Sequence, residues 1–155
     1  MINNILRSIK LAYFKLLRIN DSPHKIAMGF AIGSFIGIFP TFWLGGILAV
    51  FLSWIFRLNY VATILGAFII MNPLTTPLFW ILSAFVGGII FSKKYNFVLN
   101  AIKDKSIFHN FGDLAIIYLV GNTIISLIVA VFSYWAIKRI IIDYRKRKSR
   151  IRNGK

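Results

Sequence analysis

The chain has 155 residues, enough for one domain, and 58% of them are hydrophobic, against about 45–50% in an ordinary soluble domain. Nineteen Lys and Arg stand against four acids, all Asp, for a formal net charge of +15, and there is no cysteine. Disulfides, thiolate metal sites and thiol catalysis are excluded, and because the cations crowd outside the apolar blocks, nucleic acid is not an expected partner.

Residues 2–18 read as a basic amphipathic helix. Ile2, Ile5, Leu6, Ile9, Ala12, Tyr13, Leu16 and Leu17 share a face, with Asn3, Asn4, Arg7, Lys15 and Arg18 opposite. Leu11 and Phe14 break the polar side. Such a helix lies in the headgroup plane of an anionic membrane, or it packs on the protein's own cytoplasmic end. Its cations leave no short uncharged core after a charged start, so a cleavable leader is not expected.

No ionisable Asp, Glu, Lys, Arg or His falls within 26–56, 58–92 or 114–137, stretches of 31, 35 and 24 residues. A hydrocarbon core about 30 Å thick takes roughly 20 apolar residues of helix. The expected fold is therefore all-α: a polytopic integral membrane protein with proline-broken helices and a C-terminal transmembrane helix. A basic N-terminal helix occupies 1–20. The membrane domain occupies 21–137, with apolar blocks 26–56, 60–92 and 114–137, and a basic cytoplasmic tail occupies 138–155.

Within the first block, Ser22 or Asp21 caps a helix that Pro23 opens, since proline lacks the amide hydrogen that a first helical position leaves unpaired. Gly29, Gly33 and Gly37 then recur every four residues and make a smooth strip for close helix approach. Pro40 disfavours helix at Phe39, and a second piece runs over 42–56, where Arg57 suits a helix C-terminus and Asn59 a turn. The second block gives pieces over 60–71 and 78–91, separated by Asn72, Pro73, Thr75, Thr76 and Pro77. Each piece is about 18–24 Å long, short for a bilayer, so each pair reads as a kinked span or as a re-entrant hairpin.

The two breaks are similar. GSFIGIFP at 33–40 and GAFIIMNP at 66–73 agree at four of eight positions with an offset of 33 residues. This is chance in two Ile/Phe-rich runs, or a duplicated half, and paired interrupted segments are the pattern of inverted-repeat transporters. After a polar interval, in which residues 97–108 suggest an interfacial helix, Asp113 caps the run 114–137, with Tyr134 and Trp135 at the interface end. Nine cations follow in 138–155, and five lie in 7–25, so both ends are expected in the cytoplasm. An even number of crossings is then required, and the two broken pairs must differ in how they enter the membrane.

The stretch SPHK at 22–25, the glycine strip with Pro40-Thr41, FRLN at 56–59 and the NP-L-T-x-P pattern at 72–77 together resemble a bacterial membrane family of unknown function, DUF 2062, over about residues 20–92. Trp43 departs from the glycine expected in that family's turn after Pro40. The resemblance implies a multi-helix inner-membrane protein. Relatives joined to glycosyltransferase domains imply an envelope or lipid-linked-sugar setting, with such an enzyme as partner; the glycine strip offers, as an alternative use, a packing surface for a second copy of the chain.

No carboxylate pair, Cys or His lies in the apolar blocks, while His24, His109, Asp21 and Asp113 sit at their edges. Catalysis, a cofactor and a metal site are accordingly not expected. Two readings remain for the breaks. In one, Pro40, Thr41, Asn72, Pro73, Thr75 and Thr76 line a polar cleft fed by free helix amides, suited to an anionic lipid or lipid-linked precursor in a small carrier or flippase. In the other, the polar side chains close the breaks, and the protein is a membrane anchor or assembly factor whose cations meet anionic lipid.

Overall fold

The structure, a computed structural model, describes residues 2–41, 44–70, 72, 75–91 and 111–153. Among these it is all helix, without a strand. The elements are α1 Ile2–Arg18, α2 Pro23–Ile38, α3 Gly45–Ile55, α4 Tyr60–Ile70, α5 Thr76–Ile90 and α6 Phe111–Asn153.

The ends of these helices follow local chemistry. Ser22 caps α2 by accepting from the Lys25 amide at 3.2 Å, with Pro23 in the first turn. Phe39 ends α2 in an extended conformation, as the residue before a proline must. α3 begins at Gly45, later than the expected Phe42. Asn59 starts α4 by accepting from the Ala62 amide at 3.0 Å, a cap where a turn residue was expected. α5 begins at Thr76, earlier than the expected Leu78, because Pro77 is compatible with a first turn. α6 does not stop at Ile137 but continues through the basic segment to Asn153. No Gly or Pro interrupts it beyond Gly121, Lys and Arg are good helix formers, and cations suit a helix C-terminus.

The core gathers Leu16 of α1, Ile26 and Phe30 of α2, Ala62 of α4 and Ile141 of α6. α1 therefore packs its second half onto the bundle: Ala12, Leu16 and Leu17 are buried, and Leu11 and Phe14 face outward. Of the two expectations for this helix, packing on the protein's own end describes Ala12, Leu16 and Leu17, whereas Tyr13, expected on the same apolar face, is 42% exposed because it points away from the bundle.

α2 and α4 run parallel with their backbones nearly touching. A Cβ at Gly29 would come within 2.8 Å of the Asn59 carbonyl, and one at Gly37 within 2.9 Å of the Ala67 carbonyl. At the centre, a Cβ on Gly33 would collide with the Thr63 carbonyl, and one on Gly66 with the Phe30 carbonyl. These two collisions are the same contact displaced by 33 residues, the offset between the similar sequence stretches. The two stretches are thus related by an approximate two-fold parallel to the helices. An inverted repeat would set them antiparallel, and that expectation is corrected.

α6 is the backbone of the molecule, antiparallel to α2. His24 at the start of α2 meets Tyr134, and Ile38 at its end meets Asn122. Beyond that level, α5 takes over as the neighbour of α6, antiparallel to it. Here a Cβ on Gly87 would strike the Ile117 carbonyl, and one on Gly121 the Ser83 carbonyl. The two broken pairs run differently. α2 reaches halfway along the apolar part of α6 and turns, and α3 returns beside it to the Asn59 end. α4 reaches the same level, and α5 continues along the other half of α6. The helix over Leu114–Arg152 is long and apolar enough to cross a membrane, whereas α3, α4 and α5 are shorter apolar helices.

Candidate functional site

Because α2 and α4 are parallel and in step, both breaks lie at one level. At the second break the polar residues are brought together and turned on their own backbone. The Asn72 side chain donates to the Ile69 carbonyl at 2.9 Å and accepts from the Thr75 amide at 3.2 Å. The Thr76 amide and hydroxyl both donate to the Asn72 carbonyl, at 3.0 and 2.9 Å, and the Thr75 hydroxyl donates to the Ile70 carbonyl. The last carbonyls of α4 and the first amides of α5 are thereby paired, which an apolar surrounding demands.

The first break has a shorter local repertoire. The Thr41 amide donates to the Phe39 carbonyl at 2.8 Å, and the Leu44 amide to the Thr41 carbonyl at 2.9 Å. The Thr41 hydroxyl stands against the start of α3, where a Cβ on Gly45 would approach it to 2.7 Å. The Ile38 carbonyl, freed by the end of α2, is taken from elsewhere in the chain. The fully buried amide of Asn122 donates to it at 3.2 Å. The same nitrogen reaches the Ser83 hydroxyl at 3.2 Å and the Tyr118 hydroxyl at 3.3 Å. The Asn122 Oδ1 is buried and has no hydrogen-bond partner among the described residues. Asn122 carries no charge and stands beside Thr123 in a long apolar run, so hydropathy does not single it out. The available signal was that an amide in such a run needs a partner.

Pro73 and Trp43 lie outside the described residues, as do His109 and the expected interfacial helix over 97–108. The side chain of Asp113, expected to cap α6, is likewise not described. Gly29, Gly33 and Gly37 are filled by α4 of the same chain, so in this fold the strip serves internal packing.

The opposite end of the bundle is cationic. Arg145 of α6 donates to the backbone carbonyls of Ile19 and Asp21, tying the basic segment to the α1–α2 connection. Tyr134 accepts from Lys138 at 3.1 Å, with the ammonium 5.3 Å from its ring centroid, and its hydroxyl is 2.9 Å from the His24 Nδ1. The Asn59 amide reaches the Asp21 carboxylate at 3.4 Å, which brings the α3–α4 turn and Arg57 to this end as well.

Polarity is inverted across the bundle. Ser34, Ser53, Thr63, Ser83, Asn122 and Ser126 are all buried, while Trp54 is 76% and Phe132 77% exposed, and Ile47, Ile81 and Ile89 are among many other exposed apolar side chains. Single exposed apolar residues are ordinary on a soluble surface, but a continuous apolar exterior around buried polar groups is not. A family model described as an uncharacterised protein conserved in bacteria matches residues 6–150. The chain belongs to that family, DUF2062. The match takes in most of α1 and of α6, well beyond the resemblance carried by residues 20–92. No curated protein and no solved structure matches the chain.

Proposed function

We propose that this DUF2062 chain is a multi-pass protein of the bacterial inner membrane that serves, without catalysis, as an anchor or assembly module on anionic lipid. The carrying observation is the inverted polarity. Large apolar side chains clothe the outside of α3, α5 and α6, where lipid is a better solvent than water, and Ser, Thr and Asn pair inside. Ile38 meets Asn122 near the centre of the 114–137 run, so both breaks fall near mid-depth. In that frame α2–α3 is a re-entrant hairpin, α4–α5 a broken span, and α6 the return crossing. The even count agrees with the clustering of α1, Asp21, Arg57 and Arg145 at one end, which the positive-inside rule puts in the cytoplasm. There the cations meet anionic headgroups, at about 1 kcal/mol for each one near the surface. The family resemblance suggests an envelope glycosyltransferase as the enzyme such a module positions.

Sidedness tests this reading directly, because the chain has no native cysteine. Single cysteines at Arg57 and Arg152 are expected to label from the cytoplasmic side, and one at Phe91 from the periplasmic side. Recovery of the chain from the cytosol without detergent, or cytoplasmic labelling at Phe91, would overturn it.

The carrier or flippase reading keeps one observation in its favour, the buried Oδ1 of Asn122 at the level of the breaks, which has no partner among the described residues. Vesicles containing the protein are expected to move a labelled anionic lipid no faster than empty ones. Transport that disappears when Thr41 and Thr76 are both replaced by Val would establish the carrier instead.

A further inference from the structure

The outward face of α3 carries a shallow, open cleft in two parts. Its apolar part, about 580 Å³, is lined by Gly46, Ile47, Val50, Phe51 and Trp54. Val50 and Trp54 also line a second part of about 600 Å³, which ends at Ser53, Arg57 and Tyr60. Together the two parts follow roughly 16 Å of helix, greasy at one end and cationic at the other. Gly46 leaves the apolar end open, since a Cβ there would meet nothing within 4 Å among the described residues.

The backbone gives an independent reason to look at Arg57. α3 closes with two reversed hydrogen bonds, from the Arg57 amide to the Trp54 carbonyl at 3.2 Å and from the Leu58 amide to the Ser53 carbonyl at 2.8 Å. This helix ending places its turning residue in the left-handed region, a position usually filled by glycine. Here it is Arg57, at φ 51°, the non-glycine residue with positive φ among the described residues. A side chain with a Cβ takes that conformation at a cost that glycine avoids. Arg57 is also the sole charged residue between Lys25 and Lys93. A helix end needs no guanidinium to turn, and local turning therefore does not account for arginine at this position.

We propose that the α3 cleft is a binding site for one anionic phospholipid, with the phosphate on the Arg57 guanidinium beside Tyr60, and an acyl chain along Val50, Trp54 and Gly46. The proposal rests on the membrane reading above and commits that reading to a defined site rather than a diffuse cationic surface. Charge complementarity selects the headgroup, since guanidinium binds phosphate through two parallel hydrogen bonds. The level of the site agrees, because Arg57 lies at the cationic end with Asp21 and Arg145, where headgroups are.

The test uses the full chain in nanodiscs of phosphatidylcholine doped with phosphatidylglycerol that carries a photoreactive acyl chain. Irradiation is expected to label the peptide containing Gly46–Tyr60. Arg57→Gly, which suits the backbone and removes the charge, is expected to lower that labelling about tenfold, a loss of about 1.4 kcal/mol, and Arg57→Lys to restore part of it. Gly46→Trp is expected to lower it by filling the apolar end while leaving the melting temperature unchanged. Equal labelling of wild type and Arg57→Gly, or labelling confined to the basic segment of α6, would overturn the site while leaving the membrane reading intact. A chain that stays outside the nanodiscs in soluble form would overturn both.

Discussion

The two proline breaks hold matching positions in similar stretches, lie at one level, and are nevertheless closed by different means. The second is closed from within six residues by Asn72, Thr75 and Thr76, and the chain continues past it as α5. The first has Thr41 nearby, but the Ile38 carbonyl is paired by Asn122, 84 residues away, and the chain turns back into α3. A break that satisfies its own backbone imposes nothing on the rest of the fold. A break that borrows its donor fixes where a distant helix must lie. In this molecule the borrowed amide joins α2, α5 and α6 at one point, where the half of the bundle built on α2 and α4 gives way to the half built on α5.

The strongest way to break the comparison is to push the parallel pair apart, because both breaks depend on it for their common level. Gly33→Val would force a side chain into the Thr63 carbonyl, a backbone atom that has little freedom to yield. We expect a loss of about 3 kcal/mol, seen as a collapse of the monodisperse peak in detergent chromatography. Gly46→Val on the outer face of α3 should stay within about 0.5 kcal/mol of wild type. Equal damage from the two would mean that the strip is not the packing seam.

Next in size is the removal of the borrowed donor. Asn122→Leu keeps the volume and strands the Ile38 carbonyl and the Ser83 hydroxyl in a dry interior. We expect about 2 kcal/mol of destabilisation by thermal unfolding in detergent. At the second break, Thr76→Val removes one of several local bonds to the Asn72 carbonyl, and about 1 kcal/mol is expected. If the order of these two is reversed, the first break does not depend on α6.

What the sequence made legible divides along the same line. Features decided within a few residues were readable: the Ser22 cap, the extended Phe39 before Pro40, the inward Ala12, Leu16 and Leu17 of α1, and the polar closure at 72–76. Features decided by distant partners were not. The glycine strip announced a close neighbour without naming α4 or its direction, and periodicity cannot distinguish a parallel from an antiparallel mate. Asn122 was one polar residue in a run whose overall hydropathy concealed it. The extension of α6 to Asn153 was hidden by treating charge as the end of a helix, although Ile141 is fully buried beyond that point and Arg145 is anchored to the α1–α2 connection.

The smallest effect has the opposite sign and concerns the turn that separates the first pair from the second. α3 can return to α4 only through a residue in the left-handed region, and Arg57 holds that place at φ 51°. Glycine would adopt it without steric penalty, offset in part by the greater freedom of the unfolded chain. Arg57→Gly should therefore raise stability by about 0.5–1 kcal/mol in detergent without lipid, read as an upward shift of the melting temperature. Added phosphatidylglycerol should stabilise the wild type more than the variant, since a ligand raises the stability of the state that binds it. A variant less stable than wild type in both conditions would show that the guanidinium supports the turn itself. The first pair would then owe its return to that side chain, as the first break owes its closure to Asn122.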